Sequence, residues 1–141
     1  MPDEAIPLQL PTAEVLLQPV VSLETHEIRG AEALSRLTNG VPVLEALADA
    51  EARGRRDRFE AYLLRLALTA RYRVPPGALL CLNVSAEALL GPASSALLDA
   101  LPSLEGLVLD LRQEGTWEGR PELLARITAL RERGALLALD D

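Results

Sequence analysis

Between residues 41 and 139 the chain alternates helical segments with short apolar ones, and this alternation limits the folds that it can adopt. Three apolar runs have the length of buried strands, at residues 78–84, 106–111 and 135–139. Each of them follows a segment in which apolar residues recur at helical spacing. Helices that alternate with strands in this way predict an α/β protein with a parallel sheet.

Two β-rich segments come before that alternation. Residues 15–23 and 28–37 flank the polar stretch ETHE at residues 24–27, which predicts an antiparallel hairpin with His26 exposed in its turn. Residues 1–14 contain three prolines and are expected to form an extended lead-in.

Local signals predict where several helices begin and end. Asp57, with Glu60 three residues later, has the spacing of a capping box and predicts that the second helix begins there. Ser85 is expected to cap the following helical stretch, and Gly134 to end the last helix.

Composition excludes several functional classes. The net charge is −7, whereas nucleic-acid binding relies on a basic surface, so no nucleic-acid partner is expected. No apolar stretch approaches the roughly 20 residues of a membrane span. The start of the chain is acidic and unlike a signal peptide, which predicts a cytoplasmic protein with no membrane partner. The single cysteine, Cys81, lies in an apolar run and is expected to be a buried, inert thiol.

Polar residues with oxygen donors stand at the ends of the predicted strands. They are Glu32, Asn83, Asp110, Asp140 and Asp141. In a parallel barrel the carboxyl ends of the strands form one rim, where catalytic groups gather. Several oxygen ligands on that rim favour a hard divalent cation such as Mg²⁺ or Mn²⁺.

The sequence contains arginine but no lysine. All 14 basic residues of the chain are arginine, so no lysine of these 141 residues can act as a base or a phosphate clamp. Arg36 shares a strand face with Glu32, and its guanidinium is suited to binding a phosphate.

The order of five short segments resembles that of EAL domains, a family of bacterial cyclic di-GMP phosphodiesterases named for Glu-Ala-Leu. Here that motif is Glu32 to Leu34, within GAEALSR at residues 30–36, and LQPVVSL precedes it at residues 17–23. Arg56 and Phe59 depart from the family's Leu-Asp-x-Trp helix start, although Asp57 matches it. The remaining similarities are LNVS at 82–85 to Val-Asn-Leu-Ser, LVLDLRQ at 107–113 to Leu-x-Leu-Glu-Ile-Thr-Glu, and LDD at 139–141 to Leu-Asp-Asp-Phe-Gly.

The resemblance implies a (β/α) barrel in which two divalent ions activate a water molecule. The resulting hydroxide attacks one phosphodiester of cyclic di-GMP and yields linear pGpG. By correspondence, Gln18 and Arg36 would contact the dinucleotide. The implied metal ligands are Glu32, Asn83, Asp110, Asp140 and Asp141.

Three departures from the family pattern bear on activity. Asp110 stands where the family has a longer glutamate, and is open between a metal ligand and a residue that approaches the next helix. Gln113 replaces a second glutamate. The family's lysine, a further metal-binding glutamate and a glutamine belong to later strands, which have no counterpart in these residues.

The fold expected is therefore α/β, an incomplete TIM-type barrel of EAL type with a leading β-hairpin. A complete barrel takes about 250 residues, so residues 15–141 are expected to form a partial EAL-like domain without the second half of the barrel. The last strand would then be an open apolar edge, which predicts self-association, a partner chain or a longer parent protein.

Three functional hypotheses follow. The chain is a metal-dependent phosphodiesterase once missing strands are supplied, a module that binds cyclic di-GMP or a protein without hydrolysis, or a structural remnant. Metal-dependent stabilisation separates the first two from the third, and turnover to pGpG separates the first from the second.

Overall fold

The computed structural model describes residues 11–112 and 119–140, except for the side chain of Asp140. Gln113 and Asp141 therefore lie outside the described residues. The strands are β1 Ala13–Val21, β2 Ile28–Leu37, β3 Leu79–Val84, β4 Leu107–Arg112 and β5 Leu136–Asp140. The helices are α1 Val43–Ala52, α2 Arg56–Thr69, α3 Ala86–Leu90, α4 Pro92–Asp99 and α5 Pro121–Glu132, and a 3-10 turn, Ala70–Arg73, extends α2.

The five strands form one sheet whose spatial order is the order of the sequence. β1 and β2 are the predicted antiparallel hairpin, and β2 to β5 run parallel to one another. β1 and β5 form the two edges, so the sheet is open. The predicted α/β architecture, an incomplete TIM-type barrel with a leading hairpin, is confirmed.

Helices cover one face of this sheet and hold the main core. Every second side chain of β3 and β4 points into that core and is almost completely buried, namely Leu80, Leu82, Leu109 and Leu111. A second, smaller cluster packs α1 against α2 and the end of β2, around Phe59. The opposite face, which would line the inside of a closed barrel, carries the polar residues of the predicted site.

The predicted capping box at Asp57 is wrong. α2 begins at Arg56, and no side chain caps it. The Asp57 carboxylate instead accepts hydrogen bonds from the backbone N–H groups of Ala93 (2.8 Å) and Ser94 (3.3 Å). Asp57 therefore caps the N-terminus of α4, and its partners are about 37 residues away in sequence. The predicted cap at Ser85 is confirmed, because its hydroxyl accepts from the backbone N–H of Ala88.

Arginines bind carbonyl groups at the ends of helices. Arg133 donates to the carbonyls of Leu98 and Leu101 at the end of α4, and Arg126 donates to that of Leu89 at the end of α3. The guanidinium groups add to the bonds that the Leu98 carbonyl accepts from the N–H of Leu101 (3.3 Å) and the Leu89 carbonyl accepts from the Ser95 hydroxyl (2.8 Å). Arg126 and Arg133 thus have a structural role.

The predicted exposure of His26 is confirmed. His26 lies exposed in the hairpin turn with a φ of 60°. Among the described helices, none is long and apolar enough to cross a membrane.

Candidate metal and ligand site at the sheet rim

Two rows of residues on the uncovered face of the sheet bring the predicted site residues together. In the first row, Gln18, Glu32 and Cys81 are direct cross-strand neighbours on β1, β2 and β3. In the second row, nearer the carboxyl ends of the strands, Asn83 lies beside Asp110. The rows share a face because side chains two residues apart in a strand project in the same direction.

A hydrogen bond joins the two rows. The Asn83 amide donates from Nδ2 to Oε1 of Glu32 over 3.3 Å. Because Nδ2 donates to the carboxylate, the Asn83 amide is oriented with its nitrogen towards Glu32. The structure therefore places Glu32 and Asn83 in direct contact, and Asp110 on the adjacent strand.

The pKa of the Cys81 thiol responds to the negative charge of this region. Partial burial raises the pKa of the Cys81 thiol, and the carboxylates of Glu32 and Asp110 raise it further. The Glu32 and Asp110 carboxylates are thus both close enough to interact electrostatically with the thiol on β3, which lies between their strands. The thiol stays protonated at neutral pH, which agrees with an inert cysteine. The prediction that it is buried is wrong: Cys81 is half-buried, because the helices of the described residues pack on the other face of the sheet.

The two predicted ligand-contact residues lie on opposite sides of Glu32. Gln18 is exposed and directly opposite Glu32, at the separation of about 5 Å between Cβ atoms that is usual for such pairs. Arg36 is exposed four residues beyond Glu32 on the same strand, where its guanidinium donates weakly to the Ser35 carbonyl (3.5 Å). Both side chains are accessible to a ligand at the rim.

A cavity of about 530 Å³ opens beside the rim, between the ends of the strands and helices α1 and α2. This volume is in the range of small-molecule sites. Arg36, Asn83 and Asp110 contribute polar wall, and Leu47 and Leu63 contribute apolar wall. The site therefore combines a shaped apolar wall with a few polar groups.

Sequence reasoning missed three residues that line this cavity. Arg112 stands two residues beyond Asp110 on β4, so strand parity, which linked Glu32 to Arg36, could have identified it. Glu60 and Ser85 also line the cavity. Their sequence signal was assigned to helix capping, and only Ser85 has that role.

The donors at the rim suit a hard divalent cation. Carboxylate and amide oxygens of Glu32, Asn83 and Asp110 are the ligand types that Mg²⁺, Mn²⁺ and Ca²⁺ prefer. Within residues 11–112 and 119–140, however, no three acidic, histidine or cysteine side chains form a metal-binding group. The backbone of Asp140 pairs with Arg112 at the end of β5, but the side chain of Asp140 and all of Asp141 are outside the described residues.

Comparison with solved structures supports the same fold. Klebsiella pneumoniae BlrP1, in a complex with manganese and cyclic di-GMP, superposes with a TM-score of 0.73 at 23% identity, covering 94% of this chain and 37% of that one. The PaMucR phosphodiesterase in complex with cyclic di-GMP has a TM-score of 0.69 at 19% identity, with 92% of this chain and 59% of that chain covered.

A third structure is the Bacillus subtilis YkuI protein, which has an EAL domain and is in complex with its substrate cyclic di-GMP and calcium. Its TM-score is 0.65 at 18% identity, with 91% of this chain and 35% of that chain covered. This chain therefore spans between about a third and three-fifths of the length of these structures. No match is found among curated proteins.

The family comparison covers nearly the whole sequence. The model of the EAL domain matches residues 4–141, which include both rows of the rim. The five motif segments stand in the family's order, the sheet places Gln18, Glu32, Asn83 and Asp110 on one face, and the family model matches most of the chain. The chain therefore belongs to the EAL domain family.

Proposed function

We propose that this chain is a cyclic di-GMP signalling module whose rim binds the dinucleotide together with Mg²⁺ or Mn²⁺. One observation carries the proposal: Glu32, Asn83, Asp110 and Gln18 are gathered on one face beside a cavity of small-molecule size. The solved structures of similar fold that hold cyclic di-GMP with manganese or calcium support this choice of ligand.

The residues divide into two groups in this proposal. Glu32, Asn83 and Asp110 hold the cation, with Asp140 and Asp141 as further ligands. Gln18 and Arg36 contact the dinucleotide, where the Arg36 guanidinium neutralises a phosphate through charge-assisted hydrogen bonds. The bond from Asn83 to Glu32 keeps the amide and the carboxylate in register. Leu47 and Leu63 supply the apolar wall of the cavity beside these groups.

Hydrolysis requires groups beyond those in these 141 residues. A bound divalent ion supplies a water of lowered pKa and stabilises charge on the phosphate. The resemblance assigns a lysine, a glutamate and a glutamine to later strands, and this sequence contains no lysine. We therefore propose phosphodiesterase activity, which converts cyclic di-GMP to pGpG, only for an assembly in which further strands complete the barrel.

A second candidate is a module that binds cyclic di-GMP or a protein without hydrolysing the dinucleotide. The substitution at Asp110 favours it, because aspartate is one methylene shorter than the family's glutamate. Metal–ligand distances tolerate changes of only about 0.2 Å, so a shorter side chain weakens a second metal position unless the backbone adjusts.

Binding and turnover assays test the proposal directly. We expect calorimetry to detect binding of Mn²⁺ and cyclic di-GMP to the purified chain, and Glu32→Ala to weaken Mn²⁺ binding by more than about 10-fold, since even outer-shell changes cost that much. Glu27→Ala is the matched control, because Glu27 is an exposed carboxylate in the hairpin turn, at the other end of β2. Chromatography of the same samples measures pGpG.

The outcomes separate the candidates. Turnover that Glu32→Ala abolishes would contradict the need for further strands and would imply that an oligomer of this chain completes the site. Binding without turnover supports the module as proposed. If wild-type protein binds neither Mn²⁺ nor cyclic di-GMP, the proposal fails and the likeness to EAL enzymes is structural only.

We also propose that a second chain pairs with the open edge of β5. Leu136 and Leu139 on this strand are 52% and 56% exposed, and an uncovered apolar edge strand favours pairing with another chain. In sedimentation experiments we expect the wild-type chain to associate with increasing concentration and Leu139→Glu to remain monomeric. Leu124→Glu is the control, since Leu124 is 51% exposed on α5 instead of on the edge strand. Equal association of both variants would contradict pairing through β5.

A further inference from the structure

Glu60 is a buried carboxylate in the wall of the cavity, and the proposed function gives it no role. Its residue is only 9% exposed, and it lines the cavity together with Asn83 and Asp110. One oxygen, Oε2, accepts a hydrogen bond from the Ser85 hydroxyl (2.6 Å) and another from Nε of Arg56 (3.3 Å). The carboxylate is thus held between α2 and the turn that follows β3.

Ser85 connects this carboxylate to the rim. Its hydroxyl donates to Glu60 and accepts from the backbone N–H of Ala88 (3.0 Å), so both sides of the hydroxyl are used. Ser85 is two residues beyond Asn83, whose amide donates to Glu32. Hydrogen bonds therefore tie α2 to the β3–α3 turn, and the backbone of residues 83–85 joins that turn to the Asn83 amide and its bond with Glu32.

Keeping Glu60 ionised in this place costs stability. Burial raises the pKa of its carboxyl above the ordinary value of about 4.5, the bonds from Ser85 and Arg56 oppose that rise, and the nearby Glu87 carboxylate on α3 adds to it. Arg56 is shared, since it also pairs with Glu51 on α1 (2.9 Å). A group whose pKa is raised by folding contributes stability below its ordinary pKa and loses it as the pH rises through the folded value.

We propose that Glu60 is a positioning residue for the rim, which holds the β3–α3 turn through the Ser85 hydroxyl and thereby orients Asn83. This inference rests on the proposed function, in which Asn83 is a metal ligand. Outer-shell partners of this kind orient the ligands of a metal, and their loss usually lowers metal affinity by about 10- to 100-fold. A residue that is kept at a cost in stability agrees with such a role.

Glu60→Leu tests the positioning role, because leucine has a similar volume and cannot accept the hydrogen bond from the Ser85 hydroxyl. We expect its Mn²⁺ affinity to fall about 10-fold. In metal-free Glu60→Leu protein, the side-chain amide signal of Asn83 in ¹H–¹⁵N NMR spectra should shift. Glu60→Gln keeps an acceptor oxygen for Ser85 and cannot ionise, so it should keep the wild-type Asn83 signal, and its Tm at neutral pH should equal or exceed that of the wild type. That difference in Tm should vanish in acid, below about pH 4.5, where the wild-type carboxyl is also neutral. A role confined to stability would lower Tm and leave that signal in place.

Glu87→Gln is the matched control, since it removes an exposed carboxylate two residues from Ser85 without breaking the network. It should leave the Asn83 signal and the Mn²⁺ affinity unchanged. The positioning role is overturned if Glu60→Leu also leaves both unchanged. If the wild type binds no Mn²⁺, the proposed function fails, but the Asn83 signal still decides the positioning role. Should Glu60→Leu not fold, Ser85→Ala gives the same readouts, with a shifted Asn83 signal expected and an unshifted one overturning the inference.

Discussion

Replacing Gly30 with alanine is expected to destabilise the domain by about 4–5 kcal/mol or more, a loss comparable with the whole stability of many domains. Gly30 pairs with Leu79 where the parallel strands β2 and β3 begin. A Cβ at position 30 would lie 2.1 Å from the carbonyl oxygen of Leu79 and 2.7 Å from its carbonyl carbon. Both atoms belong to the backbone, so the strands must separate. Urea unfolding followed by circular dichroism measures the loss.

Gly77→Ala is the control for Gly30→Ala. Gly77 has a φ of +85°, but a Cβ there would meet nothing within 4 Å. Alanine at this position therefore costs only the strain of a left-handed backbone, about 1–2 kcal/mol. If Gly30→Ala proved as stable as Gly77→Ala, the close approach of β2 and β3 would be wrong.

Asp57→Ala is expected to cost about 2–4 kcal/mol, because it removes a charged acceptor shared by three donors of α4. These donors are the backbone N–H groups of Ala93 and Ser94 and the hydroxyl of Ser94, which bonds to the carboxylate over 3.1 Å. Ser94 is fully buried, so water cannot replace the lost partner. Thermal or urea unfolding gives the change in the free energy of unfolding.

Hydrogen exchange shows which helix depends on Asp57. The structure predicts that Asp57→Ala removes protection from the amides of Ala93 and Ser94, whereas a capping box would place the loss at the start of α2. Asp57→Asn retains an acceptor oxygen and should lose less stability. Loss of protection in α2 with α4 unaffected would contradict the tertiary cap.

The contrast at Asp57 shows where sequence reasoning succeeds in this chain and where it does not. Strands and their terminal polar residues could be predicted, since apolar runs and the parity of side chains depend only on near neighbours. A capping box also has a local pattern, but an aspartate can satisfy any helix that comes within reach. Its actual partners on α4 are brought close by the packing of α2 against α4, which no local spacing encodes.

Exposure on the two faces of the sheet was also beyond local reasoning. Residues 78–84 are apolar enough to suggest burial on both sides, yet only Leu80, Leu82 and Val84 are covered by helices. Cys81 and Asn83 face the other side, and an isolated sequence does not say what covers that side. The buried carboxylate of Glu60 was missed for a related reason, because charged residues on a helix are usually solvated.

The sequential order of the strands affects how the domain is made. Each strand from β2 onward pairs with the strand synthesised immediately before it, so no strand must wait for a distant one. Chains are synthesised at about 5–20 residues per second, which is slow compared with the formation of helices and hairpins. A nascent chain can therefore extend this sheet strand by strand while the ribosome is still translating it. Glu32 and Asn83 would then be side by side before Asp110 is added.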